Sequence, residues 1–511
     1  MIKRIFIALI VVACAQLASA TTVEISSGGI AGMRKGHIDQ YLGVPYAAPP
    51  IGELRWRAPQ PVASWPGIRP ALAPASPCAQ IGSFYSTDNE ASFDKPYGSE
   101  DCLYLNIWAP ASPKELLPVL VFFHGGSGIV GDSAHPLYNG QRLAEEANAV
   151  VVTANYRLGV FGSLQSPALH TGDPAEDSGS YFLLDMIRVL DWLSENCLAF
   201  GCDSKAITIS GQSAGAVSVL ALLRSPLAQG KFQGAISFSG LPFSASTETA
   251  LKRTEKLLSH LASQNLEFAV DGEGVDFFAA NATTQMRDYL YQLSTGDLLN
   301  ASGFGLSPAI VADGSVLASL ETPDKPVAKA LSRVPLMIGG TKDEMTTLTP
   351  IKGFGRSAEK IWPLVNGEPR DKTINQQLGF LSGLVRDVRV GFANLFVKKR
   401  LKKYSKQYAK QLPAVYLYQF SWADYPEPWR SEMGAFHGLD IPFIFGNFID
   451  DHKIYMRFAW TEENKKQREA LHSEIVQNIY GFLRITMPGN RDADNYLWAP
   501  LNDRENIHIW K

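Results

Sequence analysis

Short runs of consecutive apolar residues recur along the chain where a half-exposed strand would alternate with polar ones. Pro118–Phe123, Ala149–Thr153, Ala206–Ser210, Ala235–Ser239, Pro335–Ile338 and Val415–Phe420 are the runs. Runs of this kind suit strands buried on both faces. Between them the apolar spacing becomes helical, as in Leu183–Leu193 and Ala214–Leu223. Strands alternating with helices predict an α/β fold with a mostly parallel sheet covered on both sides. No fixed-period repeat or low-complexity tract is present, which argues against a solenoid. The Pro-rich stretch from Pro45 to Pro77 reads as irregular surface chain and not as a domain boundary.

The first twenty residues carry a separate pattern. Lys3 and Arg4 precede an apolar run from Ile5 to Leu17, which ends in Ala18-Ser19-Ala20. These are the parts of a secretory signal peptide cleaved after Ala20. The run is short of the roughly 20 apolar residues a membrane span needs. Val11-Val-Ala-Cys14 also fits a lipoprotein box with Cys14 lipidated, so a secreted or periplasmic protein and a lipid-anchored one both remain open. No other stretch is apolar enough to span a bilayer, and by length alone the chain could hold up to three domains.

Composition narrows the class. The 511 residues are 46% hydrophobic and carry a formal net charge of −3, which excludes a disordered chain. Without a basic excess there is no basis for nucleic-acid binding. Export gives the cysteines meaning. Once Cys14 is removed, Cys78, Cys102, Cys197 and Cys202 remain, and four cysteines allow three pairings. The sequence-near pairing joins Cys78 to Cys102 and Cys197 to Cys202; the alternative is that some stay free, buried and inert.

In open α/β sheets the chemistry lies beyond the carboxyl ends of the strands. Four such ends are notable: His124-Gly-Gly-Ser127, Gly211-Gln-Ser-Ala-Gly215, Gly339-Gly-Thr-Lys-Asp-Glu344 and, after a longer loop, Phe436-His-Gly438. Gly211–Gly215 fits G-x-S-x-G, in which a serine sits on a tight strand-to-helix turn and needs small neighbours two positions away. Ser213 is therefore the candidate nucleophile. The glycine-rich loop after His124 can bring backbone N–H groups close to a reacting carbonyl. Because His124 precedes Ser213, it reads as structural. A serine nucleophile needs a neutral imidazole and a carboxylate to orient it. On such elbows the chain order is nucleophile, acid, base, which leaves His437, His452, His472 and His508. His452 lies in a polar loop, His472 in a charged helical stretch and His508 near the C-terminus, where fraying is expected. His437, flanked by glycines, is left as the base. Asp343 and Glu344 both follow the strand at Pro335–Ile338, and spacing does not choose between them. Asp440, three residues after His437, reads as supporting. There is no HExxH and no Cys/His set of ligand spacing, so neither metal nor cofactor is expected.

With these residues in view, the chain resembles the type-B carboxylesterase family, which includes cholinesterases and bile-salt-type lipases. The stretches that carry the resemblance are Tyr41-Leu-Gly-Val-Pro-Tyr-Ala47, Ser99-Glu-Asp-Cys-Leu-Tyr-Leu-Asn106, the His124 loop, Ala154-Asn-Tyr-Arg-Leu-Gly159, the Ser213 elbow and Gly434-Ala-Phe-His-Gly438. The resemblance implies one α/β-hydrolase domain with helical insertions near 250–330 and 350–412. It implies Ser213, Glu344 and His437 as catalytic residues, the N–H groups of Gly126, Ser127 and Ala214 as the oxyanion hole, and a Cys78–Cys102 bridge. The implied activity is hydrolysis of small-molecule carboxylic esters, with an interfacial lipase or a non-catalytic binding module as alternatives. Three positions depart from the family: Gln212 where Glu is usual, Met345 where Gly follows the acid, and Cys202 where a second Gly is common. Neither the natural ester nor the oligomeric state is legible.

Overall fold

The computed structural model describes residues 19–264, 284–302, 310–318, 331–347, 357–366, 380–489, 497–501 and 506–511. The predicted signal segment up to Ala18 and parts of both predicted insertions lie outside the described residues. Among the described residues twelve strands form one sheet. In chain order they are β1 (Ser19–Ile25), β2 (Gly28–Lys35), β3 (Ile38–Pro45), β4 (Ile68–Pro70), β5 (Tyr104–Pro110), β6 (Leu117–Phe123), β7 (Val150–Ala154), β8 (Cys202–Gln212), β9 (Gly234–Phe238), β10 (Leu336–Thr341), β11 (Val415–Phe420) and β12 (Ile507–Trp510). Their spatial order is β1-β2-β3-β5-β7-β6-β8-β9-β10-β11-β12, with β4 beside β2.

The sheet has two halves. From β7 across to β12 all neighbours run parallel. From β1 to β5, and from β5 to β7, the path is antiparallel. All six predicted apolar runs are strands of the parallel half. There β6, β7 and β9 are buried at every position, as strands covered on both faces require. Alternate residues of β6 feed opposite cores. Val119, Val121 and Phe123 join a cluster with Leu190 and Val219, whereas Leu120 and Phe122 join one with Phe443 and Phe482. The helices supplying those partners therefore flank the sheet: α1 (Tyr181–Asn196) and α2 (Ala214–Leu222) on one side, α5 (Ile441–Phe445) and α6 (Lys465–Thr486) on the other. Two more helices, α3 (Thr247–Gln264) and α4 (Phe380–Ala409), come from the regions predicted as insertions.

One expectation needs correction. The C-terminal segment does not fray: β12 pairs in parallel with β11, and Trp510 is fully buried and stacked on Tyr418 at 4.2 Å. Burial of that indole and its ring contact hold the end of the chain. His508 stacks on Trp498 at 4.6 Å, and its Nε2 lies 2.8 Å from Glu474 Oε1. Both sequence-near cysteine pairs, Cys78–Cys102 and Cys197–Cys202, are disulfides.

The topology sets where chemistry can occur. The chain leaves β6 for β7 on one flank and then crosses to β8 on the other. The carboxyl ends of β6 and β8 thus border the switch point of the sheet, where open α/β folds place their ligands.

Candidate active site

Ser213 stands between the last residue of β8 and the first of α2, with φ +55° and ψ −118°. A non-glycine residue there is strained, typically by about 1–3 kcal/mol, and persists only where the surroundings impose it. They do so through the backbone. The Ser213 N–H donates to Phe238 O at 2.9 Å, and its carbonyl accepts from Val217 N at 2.9 Å. The flanking glycines have steric reasons. A Cβ on Gly211 would lie 2.5 Å from the carbonyl carbon of Gly215, and one on Gly215 only 2.1 Å from Phe123 O. The turn is thereby wedged against the end of β6, and the serine is lifted toward the switch point.

The loop after β6 is built to approach that turn. A Cβ on Gly125 would lie 3.0 Å from Ser213 Cβ and 3.1 Å from Gln212 O, so glycine eases the close approach of the loop to the turn. Gly126 has φ +93° and Ser127 φ +58°, so the serine at the third position accepts a left-handed backbone despite its Cβ. Among the described residues, the N–H groups of Gly126, Ser127 and Ala214 donate to no protein acceptor. His124 is structural, as expected. It is buried, its Nδ1 lies 2.9 Å from Gly125 O, and its ring stacks on Tyr156 at 4.5 Å. Burial pushes this imidazole down to about 4, which keeps it neutral.

The structure separates the two carboxylates that spacing could not. Glu344 Oε2 is hydrogen-bonded to His437 Nδ1, while its Oε1 accepts from Thr341 N at 2.7 Å. A side chain on Gly340 would put its Cβ 2.5 Å from Glu344 Oε1. Asp343 instead accepts from Ala435 N at 2.9 Å and so tethers the loop that carries His437. Burial acts to raise the Glu344 carboxyl, but the charge and hydrogen bond of His437, with Ser239 and the Thr341 amide, outweigh it and hold it below the usual range. For His437, burial acts downward, yet Glu344 and Asp440 raise it above an ordinary imidazole. Asp440 is fully buried; burial and the charge of Glu344 push its carboxyl up to about 7.

His437 Nε2, the nitrogen a base would use, lies 3.1 Å from Gln212 Nε2. With the ring proton on Nδ1 toward Glu344, Nε2 is an acceptor and the Gln212 amide donates to it. Among the described residues Ser213 Oγ has no hydrogen-bond partner. It shares with His437 the walls of two cavities, of about 280 and 410 Å³. The smaller is lined by Tyr85, Tyr138 and Tyr455 beside Gly125–Ser127. The larger is lined by Val217, Leu241, Phe243, Val397 and Leu401, with Arg253. Met345, at the position where the family has Gly, faces both, and its N–H donates to Asn394 Oδ1 at 2.7 Å.

None of His452, His472 and His508 lines the two cavities at Ser213. His452 is exposed, and His472 is buried with Nδ1 2.7 Å from Phe443 O. The sequence reading missed the contact of Gln212 with His437 and the walls contributed by Tyr85, Tyr455 and α4. For Gln212 a signal did exist, its departure from Glu; for the walls there is none, since their residues are ordinary core-forming types.

Comparison with known proteins agrees with this geometry. The model of the Carboxylesterase family matches residues 19–361. The chain is 31% identical over 485 residues to the para-nitrobenzyl esterase of Bacillus subtilis, covering 94% of this chain and 92% of the relative. It is 33% identical over 499 residues to human carboxylesterase 5A, covering 91% and 80%. Among solved structures, a carboxylesterase of Geobacillus stearothermophilus superposes with a TM-score of 0.71 at 28% identity, over 96% of both chains. A sheet with a strained serine at its switch point and these matches lead to one conclusion: the chain belongs to the carboxylesterase family.

Proposed function

We propose that this ester hydrolase works through an acyl-enzyme, with Ser213 as nucleophile, His437 as general base and acid, and Glu344 as the residue that orients the imidazole. Ser213 Oγ attacks the ester carbonyl carbon while His437 Nε2 takes the hydroxyl proton. The negative charge on the carbonyl oxygen is received by the N–H groups of Gly126, Ser127 and Ala214, a reading supported by their donating to no protein acceptor among the described residues. As the tetrahedral intermediate collapses, the alcohol leaves with the proton from His437. Water, deprotonated by the same nitrogen, then releases the acid and restores Ser213. Glu344 holds the Nδ1 proton throughout and stabilises the transient imidazolium. Gln212 must release Nε2 before Ser213 can use it.

The observation that carries this reading is the joint placement of Ser213 and His437 on the walls of the same two cavities, with Glu344 on the far side of the ring. Two cavities diverging from one serine suit an ester, whose acyl and alcohol parts point away from a single carbonyl carbon. The substrate is a small-molecule ester, and residues 21–511 act as one catalytic domain. The N-terminal pattern points to export, and Cys78–Cys102 and Cys197–Cys202 suit an oxidising compartment. A mature chain beginning at Thr21 supports a cleaved signal peptide, whereas one beginning at a lipidated Cys14 replaces it with an anchored form. The test of mechanism is Ser213→Ala. Its kcat for p-nitrophenyl acetate falls by about 10⁴-fold or more while circular dichroism is unchanged. Retained turnover in the purified variant refutes the assignment.

A further inference from the structure

Helix α4 has two faces of different chemistry. Its inner face is buried through Val390, Tyr404 and Tyr408, and Val397 and Leu401 wall the larger cavity beside Ser213. Its outer face shows Val388, Phe392, Leu395 and Phe396, which are 51, 72, 49 and 53% exposed. Their spacing of four, three and one places them in a single stripe over the middle turns. They are four of the twelve large hydrophobic side chains exposed among the described residues, and the others do not share an element in this way.

Toward its C-terminus the same helix turns basic. Between Val388 and Gln411 there are eight Lys and Arg and no Asp or Glu, in a chain whose net charge is −3. Lys398, Lys399, Lys403, Lys406 and Lys410 are exposed. The Arg400 guanidinium lies 4.0 Å from the centroid of the Phe396 ring, so cation and aromatic are adjacent where the two zones meet. Phenylalanine and leucine beside a field of lysines is the chemistry of a helix that lies in the headgroup layer of an anionic bilayer. There the rings reach the acyl boundary and the ammonium groups meet phosphates. Among the described residues no helix is long and apolar enough to cross a membrane, so the contact is with the surface. A second copy paired with the helices parallel would set two lysine fields against each other, and an antiparallel pairing would leave the lysines without a countercharge that an anionic surface supplies.

We propose that α4 docks the protein on anionic lipid bilayers through Phe392, Phe396 and the Lys398–Lys410 cations. The helix whose inner face walls the larger cavity then rests on the membrane, with Phe243, 48% exposed, on the same cavity wall. Resting on the ester-hydrolase reading, this makes apolar esters held at a lipid surface the substrate class.

The test is co-sedimentation of the full mature chain with phosphatidylglycerol-rich vesicles and with pure phosphatidylcholine vesicles. Binding to the anionic vesicles is expected to be at least about tenfold tighter and to weaken as salt is added. The double variant Phe392→Ser/Phe396→Ser and the triple variant Lys398→Glu/Lys399→Glu/Lys403→Glu each reduce it by about tenfold or more. Hydrolysis of soluble p-nitrophenyl acetate stays unchanged in both. Equal binding to the two vesicle types, equal binding by wild type and variants, or a solution dimer that the phenylalanine variant dissociates overturns the proposal. Vesicle binding without any ester hydrolysis would instead remove the catalytic reading and leave the docking surface standing.

Discussion

At the ends of β6, β8 and β10, position is set by backbone. Ser213 is fixed by its own amide and carbonyl, Gly126 and Gly215 are admitted only because they lack a Cβ, and Glu344 is gripped by the Thr341 N–H. The cavity walls are made differently. They are side chains gathered from Tyr85 to Tyr455 and packed by shape. The difference teaches how one sheet can hold a reaction constant while its substrate changes. Atoms held by main-chain geometry leave little room for substitution, whereas a wall of apolar side chains can be resized one residue at a time.

If that division is right, the steepest losses come from the strand ends. His437→Ala lowers kcat by about 10⁴-fold, and Glu344→Gln by about 10²- to 10⁴-fold because the imidazole loses its orienting charge. Asp343→Asn, at a side chain that accepts from Ala435 N in the loop that carries His437, costs about tenfold or less in the same steady-state assay. A Glu344→Gln enzyme as active as wild type, with Asp343→Asn inactive, would reverse the assignment of the acid.

A smaller effect sharpens the contrast at Gln212. In the proposed role of base, His437 can take a proton from Ser213 only while neutral. Since Glu344 raises its pKa, kcat/KM falls as pH drops through a value above that of an ordinary imidazole, about 6.5. The Gln212 N–H donates to Nε2 and so favours the neutral ring. Replacing it by a carboxylate in Gln212→Glu favours the imidazolium and moves the acid limb of the pH–rate profile up by about one unit. Gln212→Met moves it up by less. A limb that stays put, or moves down in Gln212→Glu, shows that the contact plays no part in setting the base.

The mildest changes belong to the walls. Leu401→Ala enlarges the larger cavity and Val217→Phe fills it. Each should shift the ratio of kcat/KM between long and short acyl esters by about tenfold, in opposite directions, with kcat for p-nitrophenyl acetate little altered. Loss of turnover in both would mean that the walls also hold the reacting groups.

Legibility in the sequence follows the same division. Strands buried on both faces leave unbroken apolar runs, so β6 to β11 could be read directly, and with them the strand ends that carry Ser213, Glu344 and His124. In the antiparallel half β1 escaped because it alternates exposed and half-buried positions over a weakly apolar stretch. Four-residue β12 escaped because its hold comes from the burial of Trp510 against Tyr418, a contact between distant segments. Asp343 and Glu344 are adjacent and chemically alike, and only the path of the loop from Gly434 to Gly438 decides which one meets the imidazole. The approach of Gln212 to His437 joins residues 225 positions apart and leaves no local trace beyond the unusual amide.

Reaction with a fluorophosphonate probe, followed by peptide mass spectrometry, tests the central claim most directly. A strained serine activated by His437 predicts one adduct per chain, on Ser213. The adduct is absent in Ser213→Ala and forms far more slowly in His437→Ala. An active enzyme that takes up no label, or a label found on another residue, would contradict the account.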